Sequence, residues 1–189
     1  FAFGIPFVYS YINPVNGKFY DSKLEDKQSG WLGPQIGEQI DLSKLENSET
    51  ETLAKNLSSD LVLLLILDPK CEVCQVSTDQ MREVRDNSNS HNIDFKIANF
   101  NPKISLSSIQ AFNKSEELNS EVYIFDGDES EISPKSKGLQ YPSYILTNSD
   151  GKILRIFAST HMDKATRSFI SKEIISDSLL EREKLNGNG

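Results

Sequence analysis

Leu61-Val62-Leu63-Leu64-Leu65-Ile66-Leu67-Asp68-Pro69-Lys70-Cys71-Glu72-Val73-Cys74 is the stretch that decides how this chain reads. Its first seven residues are all apolar. Unbroken hydrophobicity of this length marks a strand buried on both faces, as in the middle of a parallel or mixed sheet. Asp68-Pro69-Lys70 then breaks the strand. Cys71 and Cys74 are the only two cysteines of the chain, and their spacing puts both sulfurs on the first turn of a following helix. The unpaired N–H groups and the positive dipole end at such a turn favour a thiolate on the leading sulfur. A buried strand running into this turn is a place for thiol–disulfide exchange. The stretch points to a site and a reaction class, but not to a substrate.

Downstream, Val73, Val76, Gln80 and Val84, with Met81 beside them, recur near helical spacing and predict a helix over 72–86, ended by Asn87-Ser88-Asn89-Ser90. Ile93, Phe95 and Ile97 alternate with polar residues and give a second strand. Ser105 suits the N-cap of a helix carrying Leu106, Ile109 and Phe112 on one face. Val122-Tyr123-Ile124-Phe125 reads as a third strand, residues 126–138 as loop, and Ser143-Tyr144-Ile145-Leu146-Thr147 as a fourth. Asn148-Ser149-Asp150-Gly151 is a turn signal, so residues 153–157 return as the antiparallel partner. A terminal helix is expected over 163–185, with fraying over 186–189.

Upstream of the central strand, residues 52–57 read as a short helix or turn, and Ile36-Gly37-Glu38-Gln39-Ile40-Asp41-Leu42 as an edge hairpin. Residues 13–35 read as loops around one or two short strands, Lys18-Phe19-Tyr20 among them, with Trp31 as a packing residue. The order β-α-β-α-β-turn-β-β-α predicts an α/β fold: a mixed sheet with helices on both faces.

Composition narrows the classes of function. Hydrophobic residues make up 37% and charged residues 25%, as in ordinary soluble domains. With 28 acidic and 20 basic side chains the formal charge is −8, which leaves no basic stripe for nucleic acid. Two cysteines make no disulfide framework. A Cys71–Cys74 bond closes so small a loop that its entropic stabilisation is about 2 kcal/mol or less. The pair is therefore read as reactive rather than structural. The apolar segment Phe1-Ala2-Phe3-Gly4-Ile5-Pro6-Phe7-Val8-Tyr9-Ser10-Tyr11-Ile12 is short of the roughly 20 residues a spanning helix needs. It reads either as the outer end of a membrane anchor or as an arm packing on the domain.

Four pieces occur in the order found in the thioredoxin fold, and the chain resembles its TlpA/ResA-like branch, related to the AhpC/TSA group. They are the buried strand ending in Cys71-Glu72-Val73-Cys74; an inserted helix and strand over about 105–126; Gln140-Tyr141-Pro142-Ser143-Tyr144-Ile145-Leu146; and the hairpin Asn148-Ser149-Asp150-Gly151-Lys152-Ile153. The resemblance implies a three-layer sandwich over 34–185, an N-terminal extension over 1–33 and a tail over 186–189. It further implies that Pro142 is cis beside the two cysteines, so that the Tyr141 backbone faces the sulfurs and holds an extended substrate segment. Protein thiols or disulfides are the implied partners, with a membrane redox protein among them. The implied setting is extracytoplasmic, and the protein is read as a monomer. No cofactor is called for, because two sulfurs carry both electrons.

Three departures from the family pattern bear on the chemistry. Lys70 stands where the family carries Trp, Glu72-Val73 lacks the usual proline, and Leu65 occupies a strand position where relatives often bury an acid or amide. Cys71, at the helix tip, is expected to be the nucleophile, and Cys74, tucked under the turn, the resolving thiol. Lys70 is expected to lower the pKa of Cys71 and Glu72 to raise it. Asp68 and Pro69 read as strand-end punctuation, and His91 as a solvated loop residue.

Two other readings stand beside exchange. One is a non-catalytic binding module that kept the fold. The other is SCO-like copper delivery through both cysteines and His161, against which the CxxC spacing counts because those proteins carry CxxxC. A peroxiredoxin-like site is disfavoured because Leu64 and Asp68 stand at the positions of its Pro and Thr.

Overall fold

The computed structural model describes residues 19–21, 33–125, 127, 131, 140–159 and 164–187. Seven strands among them form one sheet: β1 (Phe19–Asp21), β2 (Leu45–Glu46), β3 (Leu61–Ile66), β4 (Asp94–Asn99), β5 (Val122–Phe125), β6 (Ser143–Asn148) and β7 (Ile153–Ser159). Their order is β1-β7-β6-β3-β4-β5-β2. The helices are α1 (Glu72–Val76), α2 (Thr78–Ser90), α3 (Leu106–Ser115) and α4 (Lys164–Gly187), with 3-10 turns at Leu42–Lys44 and Leu53–Lys55.

The apolar run explains the sheet. β3 lies at its centre, parallel to β4 and antiparallel to β6, and all six of its residues are buried. Its alternate side chains enter two different cores. Leu61, Leu63 and Leu65 join Met81, Val84, Ile109, Phe112 and Ile174 under α2, α3 and α4. Val62, Leu64 and Ile66 join Ile40, Leu42, Leu45 and Leu53, from the segment carrying the 3-10 turns. The architecture is thus α/β with a mixed sheet between two layers. The helix and strand read as an insertion, α3 and β5, extend the sheet outward, β5 lying parallel to β4. Ser105 caps α3, its hydroxyl accepting from Ser108 N at 3.3 Å.

The helix after the cysteines departs from the expected single helix in two ways. It breaks at Ser77, whose φ of −106° and ψ of 9° leave the helical region. Ser77 N donates to Cys74 O at 3.2 Å, an i→i−3 bond, and α2 then begins with Met81 N donating to Ser77 O at 3.0 Å. The break turns Val76 outward to 54% exposure, so this residue does not belong to the buried stripe that its spacing suggests. The helix also continues through Asn87-Ser88-Asn89-Ser90 instead of ending there. Ser88 falls on the buried face below Met81 and Val84, and tertiary packing overrides weak helix propensity. Asn92, at a φ of +56°, ends the run. Arg182 of α4 donates to the carbonyls of His91 and Asn92 at 2.8 and 2.6 Å.

Residues 36–42 do not form a hairpin. They lie along the start of β7, with Gly37 N donating to Ile153 O at 2.9 Å, Ile153 N to Glu38 O at 2.8 Å and Ile40 N to Gly151 O at 2.9 Å. Gly151 closes the β6–β7 turn at a φ of +87°, where a Cβ would stand 2.0 Å from Ile40 O, so only glycine fits. On β7, Arg155 is 6% exposed and pairs with Glu181 and, at 3.5 Å, with Asp177 of α4. Lys184 joins Glu181 at 2.8 Å.

The Lys18–Tyr20 reading corresponds to β1, which pairs antiparallel with the outer edge of β7 through Phe19↔Ser159 and Asp21↔Phe157. α4 runs to Gly187, two residues past the expected helix end at Leu185. Residues 1–12, Trp31, His161 and most of 126–138 lie outside the described residues. No helix among the described residues is long and apolar enough to cross a membrane.

Candidate thiol site

The site is built where β3 ends. Asp68 folds the chain back on itself, its carboxylate accepting from Lys70 N at 2.8 Å and its carbonyl from Cys71 N at 3.0 Å. The turn is held from the other side by Gln75 Nε2, which donates to Pro69 O at 2.9 Å. Asp68 and Pro69 thus serve as the punctuation their residue types suggest, and the turn delivers Cys71 to the N-cap of α1 with extended backbone, φ −73° and ψ 120°.

The two sulfurs are free thiols in different surroundings. Cys71 is half-buried at the helix tip. Cys74, one turn on, has no exposed surface and belongs to the core under the helices. Burial, the largest influence, pushes the Cys74 thiol well above the usual range; a backbone hydrogen bond at Asp68 opposes this, and the Cys71 sulfur and the Asp68 carboxylate add to it. Lys70 and Glu72 flank Cys71, and both are exposed to solvent.

β6 brings the second half of the site. The Tyr141–Pro142 peptide bond is cis. Pro142 is buried and Tyr141 half-buried, its side chain against both cores. Cys71 Sγ donates to Tyr141 O at 3.5 Å, so the first thiol and the backbone before the proline meet directly. The meeting follows from the sheet. Ile66, the last residue of β3, is in register with Ser143, the first of β6. The segments leaving these two strand ends, one carrying Cys71 and the other Tyr141, therefore start side by side.

Tyr144 belongs to the same neighbourhood and was not among the residues singled out from sequence. It pairs across the sheet with Leu65 on one side and Phe157 on the other, is 1% exposed, and shares the core of Cys74. Its hydroxyl has no hydrogen-bond partner. Burial raises the Tyr144 phenol far above its ordinary range, and the nearby Cys74 sulfur adds to the rise. A tyrosine in an apolar strand reads as packing. Its one sequence signal is the sheet partnership with Leu65, which needs the register of β3 against β6.

His91 lies away from the cysteines at the end of α2, its Nδ1 2.8 Å from Asn87 O. No group of three or more His, Cys, Asp or Glu side chains able to hold a metal ion occurs among the described residues.

Comparison with known proteins bears on the fold. No family model and no curated protein matches the chain. Among solved structures, a domain of a possible thiol-disulfide isomerase from Cytophaga hutchinsonii superposes with a TM-score of 0.56 at 12% identity, covering 83% of this chain and 99% of that one. A secreted Mycobacterium tuberculosis disulfide oxidoreductase homologous to E. coli DsbE gives 0.50 at 13% identity, over 70% and 93%. The thioredoxin domain of a Bacteroides vulgatus thiol-disulfide oxidoreductase gives 0.51 at 11% identity, over 74% and 98%. The chain has the thioredoxin-like fold.

Proposed function

We propose that this protein exchanges thiols and disulfides with protein partners through Cys71 and Cys74, as a member of the TlpA/ResA-like branch working outside the cytoplasm. The observation that carries the reading is the contact of Cys71 Sγ with Tyr141 O at 3.5 Å, with Cys74 buried one turn behind it. A half-buried thiol beside a strand-like backbone segment can meet an extended guest. A buried second thiol is out of reach of that guest but within reach of the first.

The cycle has two steps. Cys71 thiolate attacks one sulfur of a partner disulfide, forming a Cys71–partner bond while the other partner sulfur leaves with the electron pair. Cys74 thiolate then attacks Cys71 Sγ, forming the Cys71–Cys74 bond, and the partner departs as a reduced dithiol. The protons lost by the two cysteines go to the two leaving sulfurs through solvent. Run in reverse, the steps oxidise a dithiol. Tyr141 and Pro142 hold the guest, and the opposed charges of Lys70 and Glu72 tune Cys71 at an exposed position where screening weakens both. The secreted status of the Mycobacterium structure supports the extracytoplasmic setting, and a membrane redox protein is one candidate source of electrons.

Trapping tests the reading. The Cys74→Ser protein is expected to accumulate partners linked through Cys71, visible as reducible adducts on a gel, and Cys71→Ser to accumulate none. The intact protein is expected to accelerate insulin reduction. Equal adduct formation by both variants, with no insulin reduction, sinks the exchange reading and favours a binding module.

A further inference from the structure

The exchange cycle, on which this inference rests, requires Cys74 to lose its proton inside the core. The surroundings oppose this. Cys74 is fully buried, and the Cys71 sulfur and the Asp68 carboxylate disfavour a second negative charge there. Leu65 puts an aliphatic chain into the same core, where it can neither accept a proton nor stabilise the thiolate. Met81, Val84, Ile174 and Ile175 are the apolar side chains that α2 and α4 bring to this core. The buried polar side chains of Ser77 and, on these two helices, of Thr78, Gln80, Ser88 and Ser178 carry no titratable group, and buried Glu181 is paired with Arg155. The titratable groups facing Cys74 are therefore Cys71, Asp68 and Tyr144.

Of these, only Tyr144 brings a neutral donor with nothing else to bond. Its hydroxyl is buried and unpartnered, and it enters from the strand position directly across from Leu65. Most buried hydroxyls have a partner, and one left without is a candidate for a role in chemistry. We propose that Tyr144 is the hydrogen-bond donor that stabilises the Cys74 thiolate during the resolving step, acting from β6 in place of a polar side chain at position 65. In the thiol form no hydrogen bond joins the two; ionisation of Cys74 supplies the strong acceptor. The phenol keeps its proton throughout. The proton shed by Cys74 passes to the departing partner sulfur through solvent, and the Cys71–Cys74 bond forms as the partner–Cys71 bond breaks.

The test uses the reduced full chain and the aromatic disulfide dithiobis(nitrobenzoate). Stopped-flow absorbance reports one thionitrobenzoate released when Cys71 attacks, and a second when Cys74 displaces the group left on Cys71. In Tyr144→Phe the first phase is expected to keep its rate. The second is expected to slow about tenfold, corresponding to about 1.4 kcal/mol, with its pH profile displaced upward by about one unit. Phenylalanine retains the ring, so packing alone predicts neither the selective slowing nor the displacement. Equal second-phase rates and profiles in the two proteins overturn the role of Tyr144 and leave exchange standing, as does equal slowing of both phases. Release of a single equivalent by the unsubstituted protein ends the exchange reading and this inference together.

Discussion

Raising the pH should destabilise the reduced protein through Cys74 specifically. Its thiol is protonated in the fold well above the pH at which a solvated thiol ionises, because burial penalises the charge. The unfolded chain exposes the same group, with an ordinary pKa of about 8.5. Below that pH both states hold the proton and stability is unaffected. Above it the unfolded state sheds the proton while the native state keeps it, so the native state binds more protons and stability falls as pH rises. The loss begins near the unfolded value and continues up to the raised native one. From about pH 7.5 to about pH 9.5 it amounts to about 1.4 kcal/mol, the free energy of ionising the unfolded thiol one unit above its pKa.

Urea denaturation of the reduced protein and of reduced Cys74→Ala, at both pH values, isolates the effect. Every other group titrates in both proteins, so the stability gap between them should shift by that amount, in the direction of relative loss for the unsubstituted chain. A gap independent of pH would mean that the native environment does not hold the thiol protonated. A shift of opposite sign would mean that it stabilises the thiolate.

Two substitutions away from the thiols test the packing that carries the site. Gly151→Ala drives a Cβ to 2.0 Å from Ile40 O at a positive φ, so chemical denaturation should show a loss of more than about 1 kcal/mol. Arg155→Ala leaves Glu181 and Asp177 facing a buried site with only Lys184 to answer them. A loss of about 3 kcal/mol is expected from thermal or urea unfolding, whereas Arg155→Met, which retains apolar packing, should cost less.

The parts of this fold legible in the sequence are those dictated by one local pattern. Leu61 to Leu67 has a single physical interpretation, burial on both faces, and β3 sends its alternate side chains into both cores. The Asn148–Gly151 turn is equally local, since Gly151 alone can take its backbone angles. The break at Ser77 was hidden because 74, 77, 81, 84 and 88 are also the spacing of one continuous helix; a single shortened hydrogen bond separates the two outcomes, and only packing selects it. The Asn-Ser-Asn-Ser run misled for the related reason that Ser88 is small enough to bury. The partners of residues 36–42 and of β1 lie more than a hundred residues away on β7 and its turn, and no local pattern encodes such a pairing. Tyr144 was visible as a letter, but its meaning depends on facing Leu65.

The registry of Ile66 with Ser143 has a further consequence. β3 and β6 are interior strands, with β1 and β2 at the two rims of the sheet. Opening from the rims inward, as local fluctuations in sheets tend to do, reaches the rungs joining β3 to β6 late. The separation between the Cys71 sulfur and the Tyr141 backbone is thus set by rungs that open late, and it is expected to hold while the margins breathe.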